Sequence, residues 1–200
     1  MSWNNHTLDY NKTNEEFYNE IKKSKTILED TISSKIYGYR APCFSLTDEK
    51  LDILSELNFI YDSSFINFEN HSLYNKLDLK NFRVKDDLIY ENKKIVEVEL
   101  PTINISNFLK IPISGGAYFR FFPMFLNKFL INKFLKNNNN FIFYIHPFEL
   151  NSCRVNTKEL SFLNRFRFNY KRNYNLNRLK RLITYLMINK VSFKRIIDII

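Results

Sequence analysis

The spacing of apolar and polar positions in this chain changes several times, and each change marks an expected element. Between Thr13 and Asp30, Phe17, Ile21, Ile27 and Leu28 share an approximate face at helical spacing, which predicts an α-helix. Thr13, with Glu16 three residues on, forms a capping-box pair at its start. Ile36 to Ala41 reads as a short strand closed by Pro42, because a residue before proline is pushed toward extended geometry. Leu51, Leu54 and Leu57 predict a second helix from Thr47 to Leu57, with Thr47 as its N-cap, followed by a brief strand from Phe59 to Tyr61. Residues 63 to 93 are polar and irregular, and their short apolar pairs assign no element.

Ile95 to Leu100 alternates Ile, Glu and Val ahead of Pro101, a strand pattern. Pro123 to Leu135 reads as a helix and Asn137 to Asn140 as a turn. Phe141 to Ile145 is an unbroken apolar run bounded by turn residues and by His146-Pro147, the pattern of a strand buried on both faces. Leu176, Leu179, Leu182, Ile183 and Leu186 predict an amphipathic helix, and Val191 to Ile196 a closing strand. Strands alternating with helices predict an α/β fold with a mostly parallel sheet. With no repeat and no linker, residues 1–200 read as a single domain.

Chemistry in such folds gathers at the carboxyl ends of strands. Three polar clusters fall there: Arg40-Ala-Pro, Asp62-Ser-Ser and His146-Pro. His146, emerging from an apolar run, has the chemistry of a general acid near neutral pH; a hydrogen-bonded structural histidine is the alternative. Arg40 has the fork geometry to orient a carboxylate, although an arginine alone is more often a surface ion-pair residue. Asp62 with Ser63 and Ser64 reads equally as a cap or a site. Ser114-Gly115-Gly116 holds two of the three glycines, which points to a special backbone conformation or a close approach. It lacks the spacing of a phosphate-binding loop. Asp48 and Glu49 suit the start of a helix, and His71 reads as a surface residue. The position four before His6 is Ser2, a poor ligand, so His6 by itself does not make a metal site.

Composition narrows the classes. The chain is 44% hydrophobic, enough for a packed core. Cys43 and Cys153 are too few for a disulfide framework. The longest apolar stretch, Phe119 to Leu135, is broken by charged and polar residues and falls short of the roughly 20 apolar residues of a membrane span. Met1 to Glu20 has no apolar leader, so a cytoplasmic location is expected. The net charge of +9 sits in Ser161 to Ile200, where ten Lys and Arg face Asp198 alone. Such a segment meets an anionic membrane or glycan, or is the solvated face of terminal helices. Motifs of nucleic-acid modules are absent, and no nucleic-acid partner is expected.

Five ordered segments carry a family resemblance. They are Phe17 to Asp30, Gly38-Tyr-Arg-Ala-Pro-Cys-Phe-Ser-Leu-Thr, Leu57-Asn-Phe-Ile-Tyr-Asp-Ser-Ser, Ile111-Pro-Ile-Ser-Gly-Gly-Ala-Tyr-Phe-Arg-Phe-Phe-Pro and Phe143-Tyr-Ile-His-Pro-Phe-Glu-Leu, with Arg178-Leu-Lys-Arg-Leu behind them. Together they resemble the NodB-like polysaccharide deacetylases, in the subgroup of cell-surface glycan biosynthesis loci that has an extra C-terminal region, here about residues 150–200. The resemblance implies a deformed (β/α) barrel that removes N-acetyl groups from a sugar polymer or lipid-linked oligosaccharide, using a divalent metal, most often zinc, held by one Asp and two His. It makes His146 the general acid, Arg40 the residue that orients the base Asp, and His6 the second metal histidine. It places Tyr39, Pro42, Phe44, Ser114, Gly115, Gly116 and Tyr118 along the sugar groove. The family's first strand, with the base and metal Asp, would lie before Met1, and Ser2 stands where the first metal histidine belongs. The barrel is therefore expected without its first strand, the metal is not expected to be retained, and activity is expected to be impaired. A non-catalytic relative that binds glycan or a partner is the alternative.

Overall fold

The computed structural model describes residues 8–68, 77–106, 109–150, 166, 169–170 and 172–200. The expectations for Ser2, His6, His71 and Cys153 lie outside the described residues. The chain divides into two compact units, Met1–Pro101 with Arg195–Ile200, and Thr102–Lys194.

In the first unit, helix α1 (Asn14–Ile32) starts as its sequence predicts. The Thr13 hydroxyl accepts from Glu16 N at 3.2 Å, and Thr13 N donates to a Glu16 carboxylate oxygen at 2.8 Å. Phe17 and Ile21 enter a core with Leu46, Leu51, Leu54, Phe59 and Ile95, whereas Ile27 and Leu28 remain exposed. Helix α2 (Asp48–Glu56) has Thr47 at its N-cap, but the Thr47 hydroxyl makes no cap bond. Five short strands follow the order β1-β2-β5-β4-β3 across one sheet. They are β1 (Gly38–Tyr39), β2 (Tyr61–Asp62), β3 (Arg83–Asp86), β4 (Ile89–Glu91) and β5 (Val96–Val98). β1, β2 and β5 run parallel, and β4 and β3 continue antiparallel.

The expected barrel is not what forms: the described residues make a mixed sheet and no closed barrel. Closure needs each edge strand to find a partner with the right stagger. Here the free side of β5 is taken by the antiparallel β3–β4 hairpin, which came from the segment whose sequence assigned no element. β3 is exposed at every position, and its Arg83, Lys85 and Asp86 are the charges that keep an open edge from pairing further.

In the second unit, β6 (Thr102–Ser106) and β7 (Leu109–Pro112) form an antiparallel pair. Helices α3 (Gly116–Phe121), α4 (Met124–Leu135), α5 (Pro147–Leu150) and α6 (Arg172–Ile188) follow. Their core is Phe119, Ile131, Leu182 and Leu186, with Phe141, Phe143 and Ile145 packed against it. The expected strand from Phe141 to Ile145 reduces to one parallel bridge, Tyr144 to Gly115. Its apolar run is explained by packing on helices rather than by burial in a sheet. Val191 to Ile196 likewise forms no strand; a 3₁₀ turn follows at Ile196–Asp198, in the residues that belong to the first unit. Among the described residues, no helix is long and apolar enough to cross a membrane.

Candidate functional site

The parallel register places Tyr39 opposite Asp62 and Asp62 opposite Glu97, so the carboxyl ends of β1, β2 and β5 bring their polar residues together. Arg40 Nε donates to the Ser63 carbonyl at 2.7 Å and Nη2 to the Ser63 hydroxyl at 2.7 Å. Ser63 Oγ in turn donates to the Val98 carbonyl at 2.7 Å. The arginine predicted to orient a carboxylate thus uses its fork to lock two strand ends.

Asp62 and Glu97 are both completely buried. Ser64 N donates to Asp62 Oδ2 at 2.8 Å and to Glu97 Oε1 at 3.0 Å, and Phe65 N donates to Glu97 Oε1 at 2.7 Å. Ser64 Oγ donates to Asp62 Oδ1 at 3.0 Å and accepts from Ala41 N at 2.8 Å. Burial pushes the Asp62 carboxyl up to about 6, against the lowering effect of its bonds to Glu97 and Ser64 and of the Arg40 charge. Glu97 is raised well above the usual range, first by burial and then by the Asp62 charge beside it. Glu97 Oε2 has no hydrogen-bond partner. A proton on Glu97 turns that orphan acceptor into a donor toward Asp62, so the pair is satisfied when it keeps one proton.

Tyr39 lies in the same unit, but its hydroxyl donates to the buried Asp9 at 2.7 Å and its ring packs edge-on to Phe17 and Phe59. Burial and the Asp9 charge hold the Tyr39 phenol well above its ordinary value. Pro42 opens a 3₁₀ turn in which Cys43 and Phe44 both take left-handed backbone, φ 50° and 57°. Two consecutive non-glycine residues there store roughly 1 kcal/mol or more each. The buried Phe44 ring and the Ser45 Oγ bond to the Pro42 carbonyl (2.7 Å) hold the turn.

In the second unit, Ser114-Gly115-Gly116 has the special backbone its glycines predict, with φ 121° at Gly115 and 55° at Gly116. Tyr144 N donates to the Ser114 carbonyl at 2.8 Å, and Gly116 N to the Tyr144 carbonyl at 3.2 Å. A Cβ on Gly115 would lie 2.0 Å from that carbonyl oxygen. Tyr118 is half-buried in α3, its ring tilted against Phe122. The exposed His146 stands at the head of α5, stacked on Phe148 and edge-on to Tyr144, with ring centres 5.6 and 5.7 Å away. Its backbone is fixed by Glu149, whose Oε2 accepts from His146 N at 3.0 Å and whose N donates to the His146 carbonyl at 2.9 Å. Glu149 is in turn paired with the buried Arg120, Nε to Oε1 at 2.9 Å.

Each unit therefore gathers part of the predicted set. Glu97, Tyr144, Glu149 and Arg120 were not singled out by sequence. The available signal was a glutamate at an apparently core position of a strand and an arginine and a glutamate inside apolar segments. Among the described residues, no three His, Cys, Asp or Glu side chains group as metal ligands. His6, the metal histidine that the resemblance implies, lies outside the described residues, and no chemical step is assigned to a metal.

Residues 63–200 match the profile of a family described as a domain of unknown function, DUF3473. The chain belongs to that family, whose domain is associated with polysaccharide deacetylase-like proteins. No curated protein and no solved structure matches the chain.

Proposed function

We propose that this chain is a carbohydrate deacetylase of the NodB-like type, hydrolysing N-acetyl groups on a cell-surface sugar polymer or lipid-linked oligosaccharide. Membership of the DUF3473 family over residues 63–200 is the observation that carries the reading. On this reading His146 gives its proton to the leaving amine nitrogen. Its exposed ring, set beside Tyr144 and Phe148 on a backbone pinned by Glu149, suits a group that meets a sugar. Arg40 acts as a clamp on the strand end that carries Asp62 and Ser63. A non-catalytic relative that binds glycan or a partner is the second reading.

Acetate release from N-acetylated chito-oligosaccharides with added zinc tests the proposal, on this chain and on any longer form its gene encodes. Release that falls on the order of 100-fold or more in His146→Ala supports the general-acid role. Oligosaccharide binding with no release from any form places the second reading first.

A further inference from the structure

Helix α4 carries a face that its own unit does not use. Asn127, Leu130, Ile131 and Phe134 turn inward and are buried. On the opposite side, Phe125 and Phe129, one turn apart, are 74% and 60% exposed. Asn132, Lys133 and Lys136 extend the same exposed stripe toward the carboxyl end. At 100° per residue these five positions fall within about one third of the helix circumference. Two neighbouring phenylalanines in water are costly, since each fully buried ring is worth about 2 kcal/mol or more.

The net charge of the unit that carries the stripe points to what covers it. Residues 102–194 hold sixteen Lys and Arg against Glu149 and Glu159 alone, a net +14, while the rest of the chain is −5. Between Glu99 and Glu149 the sequence has no acidic residue at all. A second copy of this unit would bring +14 against +14, which opposes self-association through this face. A hydrated polyanion would satisfy the lysines and leave the rings in water. An anionic bilayer surface satisfies both, because lysines stay at the phosphates while phenylalanines enter the acyl boundary.

We propose that the α4 face of Phe125, Phe129, Lys133 and Lys136 is a peripheral docking surface for an anionic phospholipid membrane. The proposal is independent of the deacetylase reading, and its test needs no catalysis. Both rings face solvent, so their replacement leaves the fold in place, which the thermal melt of each variant verifies.

The experiment is sedimentation of the 200-residue chain with vesicles of phosphatidylcholine, alone or with about one quarter phosphatidylglycerol. Binding is expected only to the anionic vesicles. It should fall on the order of tenfold or more in Phe125→Ser/Phe129→Ser and several-fold in Lys133→Gln/Lys136→Gln at low salt. In Phe129→Trp, tryptophan emission should shift to the blue on vesicle addition, above the signal of Trp3. Three results overturn the proposal: no binding, equal binding to neutral vesicles, or salt-reversible binding untouched by the double serine variant. A concentration-dependent dimer abolished by Phe125→Ser/Phe129→Ser also overturns it, in favour of a second copy.

Discussion

Asp62 and Glu97 face one another across two parallel strands with no water-accessible surface on either. Since the folded Asp62 carboxyl titrates at about 6, the folded chain holds its proton more tightly than the unfolded chain does. The stability this contributes is complete below the unfolded carboxylate value, about 4, and is lost as pH rises through about 6. Glu97→Gln keeps the Oε1 that accepts from Ser64 and Phe65 and gives Asp62 an N–H in place of a shared proton. Urea melts should then show the loss of stability between pH 5 and pH 8 reduced by on the order of 1–2 kcal/mol. An unchanged pH slope would sink the shared-proton account. Gly115 is a second single-residue constraint, with positive φ and no room for a Cβ against Tyr144 O. Gly115→Ala should lower stability by about 2 kcal/mol or more in urea, with His146→Ala as a near-neutral control. The glycine pair was legible because only glycine takes such a backbone freely. The carboxyl pair was not, because its members are 35 residues apart and meet only through strand register.

At the level of elements, legibility followed how local each determinant is. Helix α1 begins where Thr13 and Glu16 say it should, because a capping box closes within four residues. The apolar run Phe141 to Ile145 satisfied a strand pattern equally well, yet it packs on α-helices and keeps one bridge. An apolar run does not reveal which kind of surface covers it. The short helix α5 owes its position to the Arg120–Glu149 pair, with the side chains 5% and 1% exposed. Removing one partner leaves a buried charge, so Arg120→Met should cost roughly 3 kcal/mol or more in urea unfolding. Adding Glu149→Gln should recover part of that loss, since the second charge is then gone. Additive losses in the double variant would mean that the two side chains contribute separately.

Over the whole molecule, the open sheet and the division of charge replace two expectations drawn from the chain as a line of residues. The sheet stays open because the β3–β4 hairpin occupies the side of β5 where a further parallel strand would continue a barrel. The charge, read along the sequence, balances over the first 160 residues and rises only in the last forty. Divided by compact unit, it becomes −5 and +14, and the exposed phenylalanines of α4 lie in the strongly basic part. The vesicle experiment belongs to this scale, because it depends on the summed field of a unit together with one helix face.

Signals that act over a few residues set the cap of α1, the four longer helices to within a few residues, the glycine turn, and the polar ends of β1 and β2. The sequence also carried the family resemblance in its ordered segments. Folding is what brings the Arg40 guanidinium to Ser63, sets the buried Asp62 beside the buried Glu97, and pins the His146 backbone on Glu149. The physical reason is range. Capping and backbone permission act within a few residues, whereas register, burial and the pairing of buried charges arise from segments distant along the chain that meet when the core forms.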